Sequence, residues 1–220
     1  MTLRFEAISV GPFQANAYII SDDVTSRAVI VDPGAEGERL GERVRELGLD
    51  LDAIWVTHGH LDHVGGIAGV RRIFPTVPIW LHDADRPLYD NVVAQGRVYG
   101  IPIEAAPAPD RSWTENDVVS VGEHEFRIVH LPGHAPGHVA LVGDDDVFIG
   151  DVVFAGSIGR TDLSMSDPQA MQASLARVAA WPSHLALHPG HGPSTTVAVE
   201  VRTNPFFAGI ARPRGAGSSG

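Results

Sequence analysis

The chain contains no cysteine and no lysine; all sixteen of its basic residues are arginine. Without cysteine there can be no disulfide, no thiolate metal ligand and no cysteine nucleophile. Without lysine, Schiff-base chemistry is excluded. Long apolar runs are missing too: none approaches the ~18 residues that span a bilayer, and Met1-Thr2-Leu3-Arg4-Phe5-Glu6 lacks the apolar segment of a secretory signal. These absences predict a cytoplasmic protein with no membrane partner. Positive charge is scarce, and the formal net charge of −11 argues against a nucleic-acid partner. A small anionic substrate remains compatible, because bound metal ions reverse the local sign.

What is present is enough for one globular unit. Of 220 residues 44% are apolar, ample for a core, and mean hydropathy is near zero. Residues 5–10, 17–20 and 28–31 read as three short strands joined by turns, an opening β-meander. A helix follows over about 36–47, where Leu40, Val44 and Leu47 keep one apolar face. Strand 53–56 comes next, then a helix over 64–74, a strand at 78–81 and a helix from Asp83, as N-cap, to about Val93. Residues 100–109, rich in proline and alanine, read as an irregular exposed connection of the kind that covers active sites. Strands near 117–121, 125–130, 138–142 and 146–149, a helix over 168–180 and a strand at 183–187 complete the pattern. One domain is expected over residues 1–208. Residues 209–220 read as a disordered tail, whose Ser218-Ser219-Gly220 has the character of an appended remnant.

The chemistry is concentrated in Thr57-His58-Gly59-His60-Leu61-Asp62-His63, directly after the apolar run Ala53-Ile54-Trp55-Val56. Three imidazoles and a carboxylate thus fall where a buried strand ends and a helix begins. Imidazole and carboxylate without thiolate suit zinc, iron or manganese. A purely structural loop gains nothing from such crowding. Three further positions have the same character, each in a glycine- or proline-rich turn beside a strand: His134 in Pro132-Gly133-His134, Asp151 in Gly150-Asp151, and His191 in Pro189-Gly190-His191-Gly192. Together they supply five histidines and two aspartates, enough for two divalent ions if one carboxylate bridges. The other histidines, His82, His124, His130, His184 and His188, have no second donor type nearby and are expected to be structural. His138 is a candidate for a hydrogen bond that orients a ligand from behind, and Asp32 for the same role or equally for capping its own turn.

These residues resemble a known family. His58-x-His60-x-Asp62-His63, followed by His134, Asp151 and His191, is similar to the metallo-β-lactamase superfamily. The strings Asp32-Pro33-Gly34, Leu131-Pro132-Gly133-His134-Ala135-Pro136-Gly137-His138, Gly150-Asp151-Val152-Val153-Phe154-Ala155-Gly156 and Pro189-Gly190-His191-Gly192-Pro193 resemble its glyoxalase II branch, especially short members without the C-terminal helical domain. The resemblance implies an α+β fold, a four-layer αββα sandwich with the metals at one edge of two facing sheets. It implies one metal on His58, His60 and His134, the other on Asp62, His63 and His191, and Asp151 between them. Ligands spread from 58 to 191 must then converge, which argues against two independent domains.

The implied activity is hydrolysis of a hydroxyacyl thioester such as S-lactoylglutathione by attack of a metal-bound hydroxide, with two divalent ions, zinc foremost, as cofactors. Asp62 is the expected orienting residue for the nucleophile. Arg160 stands where this branch often carries a basic residue for the carboxylates of glutathione. Gly159-Arg160-Thr161-Asp162 also resembles the related persulfide dioxygenases, whose single iron is held by two histidines and an aspartate; this is the alternative reading.

Overall fold

A computed structural model describes residues 2–210. The part of the expected tail from 211 onward lies outside the described residues, whereas Ile210 packs against the apolar core.

Alternating side chains build two sheets. Strands β1 (Leu3–Val10), β2 (Ala15–Asp22) and β3 (Arg27–Val31) form the antiparallel meander, and β4 (Asp50–Trp55), β5 (Ile79–Leu81) and β6 (Arg111–Ser112) extend it in parallel. The second sheet contains β7 (Val118–Val121), β8 (His124–His130), β9 (Val139–Val142) and β10 (Asp146–Gly150). After a small hairpin, β11 (Val153–Phe154) and β12 (Ser157–Ile158), the sheet is completed by β13 (Ala186–Pro189), parallel to β10, and β14 (Thr195–Thr196).

The period of two sends successive residues into different cores. Tyr18, Ile20, Val29, Val31 and Trp55 of the first sheet meet Phe126, Ile128, Val139, Leu141 and Phe148 of the second between the sheets. Ala17, Ile19, Ile30 and Ile54 point the other way, onto α1 (Gly37–Glu46), α2 (Leu61–Val64) and α3 (Ile67–Ile73). The same outer layer includes α4 (Arg86–Asp90) and α5 (Val92–Tyr99). Val129, Ala140, Val147 and Ile149 face α6 (Pro168–Ala179) and α7 (Val197–Thr203). Each fully buried Ile or Val contributes about 1.5–3 kcal/mol, and the result is the four-layer αββα sandwich. Among the described residues no helix is long and apolar enough to cross a membrane.

Several local expectations are corrected. The helix expected over 64–74 is two helices, α2 and α3, because the Gly66 N–H donates to the Pro33 carbonyl (2.8 Å) and Gly65 and Gly66 sit against the backbone of the 33–35 turn. In place of one helix from Asp83 there is a 3-10 turn, Asp83–Asp85, then α4 and α5. That turn is capped by His82, whose Nδ1 accepts from the Ala84 N–H, not by Asp83. The strand expected at 183–187 lies at Ala186–Pro189, and β14 and α7 were not anticipated. Residues 101–109 carry no regular element, as expected, but Ile101 and Ile103 are half-buried against the first core.

Candidate metal centre

Ligand-type side chains gather where strands end. Strand β4 runs into Thr57 and His58, α2 presents Asp62 and His63, the turn after β8 carries His134, Asp151 directly follows β10, and the turn after β13 carries His191. Two residues of β2 hold that last turn in place: Asn16 Nδ2 donates to the carbonyls of Pro189 (3.0 Å) and Gly192 (2.8 Å), and the Tyr18 hydroxyl donates to Pro189 O (2.7 Å). Gly190 is required by close approach, since a Cβ there would overlap Asp151 Oδ1 and the His63 ring.

All seven expected donors come together. One set is His58, His60 and His134, and another is Asp62, His63 and His191, each with donor atoms within 4.8 Å of one another. Asp151 lies between them: Oδ1 is 3.5 Å from His63 Nε2, and Oδ2 is 3.5 Å from both His134 Nε2 and His191 Nε2. Tetrahedral ligands at roughly 2.0–2.1 Å from an ion stand about 3.4 Å apart, so these spacings fit a shared polyhedron. His60 Nδ1 and His134 Nε2, 2.9 Å apart, and His191 Nε2 and Asp62 Oδ2, 3.1 Å apart, are somewhat closer. His58 Nε2, His63 Nε2 and Asp151 Oδ1 are buried without a hydrogen-bond partner. Buried polar atoms are rarely left so, and a cation would satisfy all three.

Hydrogen bonds from behind fix which nitrogen faces the centre. His63 Nδ1–H donates to Asp32 Oδ2 (3.0 Å), and His58 Nδ1–H donates to Thr57 Oγ1 (3.0 Å). Thr57 in turn donates its hydroxyl to Asp32 Oδ2 (2.6 Å) and its N–H to Asp32 Oδ1 (2.7 Å). Asp32 therefore orients one histidine of each set, which decides its expected role in favour of positioning. His134 Nδ1–H donates to the Arg160 carbonyl (2.8 Å). His138 Nε2 accepts the Asp151 N–H (2.9 Å), the supporting contact expected of it.

Burial, then the neighbouring imidazoles, holds His58 and His138 well below the usual histidine range, and His60 is pushed down to about 4 by burial and His134. Neutral imidazole is the form that binds a cation. Burial acts the same way on His63, but Asp151, Asp62 and Asp32 outweigh it and lift His63 well above its usual value. Burial likewise raises Asp151 and Asp62, and the surrounding histidines, His63 foremost, overcome it and hold both below the carboxylate range. Held low, Asp151 and Asp62 favour the carboxylate form, the form that binds a cation.

Asp85 is a supporting residue that sequence reasoning did not single out. It is fully buried; Oδ2 accepts the Gly59 N–H (2.9 Å) and Oδ1 the Gly137 N–H (2.5 Å). It ties the turn of His58 and His60 to the turn of His134. The signal lay in topology: β5 is parallel to β4 and adjacent to it, so the residues after each strand emerge at the same sheet edge. Arg160, by contrast, does not join the cluster through its side chain. Its guanidinium is exposed and paired with Asp162 (2.8 and 2.9 Å), and only its carbonyl reaches a donor residue. His82, His124, His130, His184 and His188 stand outside the donor sets. His188, for instance, is held by Asp146 and Ser194 at 2.7 and 2.8 Å.

Residues 10–191 match the metallo-beta-lactamase superfamily. The chain is 38% identical to hydroxyacylglutathione hydrolase GloC of Haemophilus influenzae over 93% of this chain and 98% of that protein. Among solved structures it resembles BLEG-1 B3 metallo-beta-lactamase, with a TM-score of 0.87, 36% identity, and coverage of 94% of this chain and 100% of that one. It also resembles TTHA1623 in a di-iron-bound form, with a TM-score of 0.84, 41% identity, and coverage of 91% and 99%. On the sandwich, the convergent donors and these matches, the chain belongs to the metallo-beta-lactamase superfamily and is a metallo-hydrolase of it.

Proposed function

We propose that this metallo-hydrolase cleaves hydroxyacyl thioesters, with S-lactoylglutathione as the representative substrate. The observation that carries the reading is the paired donor set, His58, His60, His134 and Asp62, His63, His191, on either side of Asp151. Two divalent ions held there would supply Lewis acidity toward a carbonyl and an activated water at neutral pH. Zinc is the first expectation, and iron or manganese suit the same nitrogen and oxygen donors. Asp62, mostly buried at the rim with 21% of its side chain exposed and bonded to His191, is the residue assigned to orient the nucleophile. Among the described residues, the titratable side chains facing the centre are donors or are bonded to donors, so none of these stands apart as an acid for the leaving group. A thiolate of pKa ~8.5 departs without a proton, whereas an amine needs one, and this favours a thioester over an amide. The acidic balance supports a small-molecule partner and not nucleic acid, and we place the reaction in the cytoplasm.

The alternative, a one-iron persulfide dioxygenase, gives work to only one of the two donor sets. Elemental analysis of protein purified without added metal, with S-lactoylglutathione hydrolysis on the same sample, separates the readings. Two metals per chain with turnover support the hydrolase. One iron per chain, no hydrolysis, and oxygen consumption with glutathione persulfide overturn it.

A further inference from the structure

Strand β1 is an edge of the first sheet: it pairs with β2 on one side, and no described backbone group bonds to it on the other. Which groups face outward follows from the ladder. The Asp23 N–H donates to the Thr2 carbonyl (3.4 Å), and on β2 the Asn16 N–H, opposite Ser9, turns away from β1 to the Gly190 carbonyl (2.7 Å). Backbone groups alternate sides along a strand, so residues 4, 6, 8 and 10 bond to β2, and Leu3, Phe5, Ala7 and Ser9 turn their N–H and C=O outward. Phe5, Ala7 and Ser9 are also exposed. Proline, lysine and bulges commonly protect such an edge. Strand β1 has no proline and no lysine, and its register with β2 runs unbroken from Leu3 to Val10. Its two charges are Arg4 and Glu6, of opposite sign and on the same face.

From this we infer that β1 is the docking edge for a second copy of this chain, paired antiparallel about a two-fold axis at Phe5. In that register Leu3 faces Ala7 of the other copy, Phe5 faces its twin, and Arg4 faces Glu6, each in both directions by symmetry. Moving the axis to Arg4 sets arginine against arginine, and moving it to Glu6 sets glutamate against glutamate. Like charges directly opposite are destabilising, so charge selects Phe5 over both neighbours. Arg4 is available for this contact: its side chain is 71% exposed, with Asp23 no closer than 3.6 Å. Glu6 is held beside the edge by Arg43 of α1 at 3.0 Å. The Phe5 ring packs on Phe148 and His188, with centroids 5.6 and 4.5 Å away, and is still 39% exposed; the twin ring across the axis covers this remainder. Three narrow pairs, Leu3 with Ala7 twice and Phe5 with its twin, supply about six backbone hydrogen bonds and join two six-stranded sheets into one. The inference is independent of the substrate.

The test uses the full chain. Sedimentation across a concentration series should show a monomer–dimer equilibrium for the unmutated protein. Ala7→Pro removes an outward N–H, leaves the bonds to β2 in place, and should abolish the dimer. Arg4→Glu sets like charges opposite each other at both ends of the junction and should weaken association about tenfold. Because the chain has no cysteine, a single introduced thiol reports the register. Narrow pairs have Cα atoms about 5.5 Å apart, within reach of a disulfide. Phe5→Cys should therefore form an intermolecular disulfide on mild oxidation, whereas in Ser9→Cys the two thiols lie more than about 20 Å apart along the strands and should not. A monomer at every concentration, a dimer indifferent to Ala7→Pro, or a disulfide in Ser9→Cys and not in Phe5→Cys overturns the assignment. If Phe5→Cys fails to fold, the Ala7→Pro and Arg4→Glu proteins decide by sedimentation alone.

Discussion

Replacing Asp85 by asparagine keeps the shape of a buried side chain and removes one acceptor. Its two oxygens now take the N–H groups of Gly59 and Gly137, at 2.9 and 2.5 Å. An amide can accept one of these and must turn its own NH2 toward the other. A buried donor left without a partner costs about 1–3 kcal/mol. Gly59 lies between His58 and His60, and Gly137 lies in the turn of His134, so the distortion falls on one donor set. Asp62, His63 and His191 make no bond to Asp85 and keep their places. The expected outcome is a loss of about 10- to 100-fold in affinity for one of two metals, with the other unchanged. Competition against a chromophoric chelator resolves the two steps. Equal weakening of both, or of neither, would refute the assignment of Asp85 to the His58, His60, His134 set. A second readout comes from pH. Burial pushes the Asp85 carboxyl from 3.8 up to about 6, against the pull of its two backbone bonds. The unfolded chain then releases this proton more readily than the folded one. Stability associated with Asp85 is therefore lost as pH rises from about 4 to about 6, by about 3 kcal/mol. The variant lacks this slope, so any stability advantage of the wild type should shrink over that window in denaturant titrations. A constant gap would argue that the carboxylate is solvated.

Asp32→Ala should leave Thr57 and the Nδ1–H of His63 without their acceptor; a cost of at least about 3 kcal/mol in urea denaturation is expected, with weakened metal binding at both sets. Stripping the metals with a chelator should lower the midpoint of thermal unfolding by about 20 °C, since a ligand at a thousand times its Kd contributes about 4 kcal/mol per site, about 8 kcal/mol for two sites, at roughly 2–4 °C per kcal/mol; an unchanged melting curve would mean that the folded chain does not bind the ions tightly. Arg160→Ala should raise KM for S-lactoylglutathione several-fold with kcat held, because its backbone carbonyl still supports His134. Asp162→Ala, which frees the guanidinium from its exposed pair, should lower KM. A fall in kcat with KM unchanged would place Arg160 outside substrate binding.

The strands were legible as short apolar runs bounded by turn residues: Ala53 to Val56 reads as a buried strand, and its residues divide between the core under the outer helices and the core between the sheets. The helix broken at Gly65–Gly66 was not legible, because the break comes from the Pro33 carbonyl, distant in sequence. Asp83 had the form of an N-cap by composition, but the polar atom that caps the turn is on His82, and the carboxylate that matters there, Asp85, serves two other loops.

Glu200 is similar. Nothing in Val197-Ala198-Val199-Glu200 announces a carboxylate buried to 1% exposure, accepting from Thr195 Oγ1, the Gly156 N–H and Asn204 Nδ2. Only packing of α7 on the β11–β12 hairpin brings those donors together.

By itself, then, the sequence determined the donor chemistry: imidazole and carboxylate without sulfur, at the ends of strands, in a chain that cannot form disulfides or Schiff bases. It also determined the short apolar runs that make the strands. Tertiary structure alone decided which nitrogen of each histidine faces the centre and which carboxylates stand behind it. Those depend on contacts between residues as far apart as Asn16 and Gly192, and no local pattern encodes a distance across the fold.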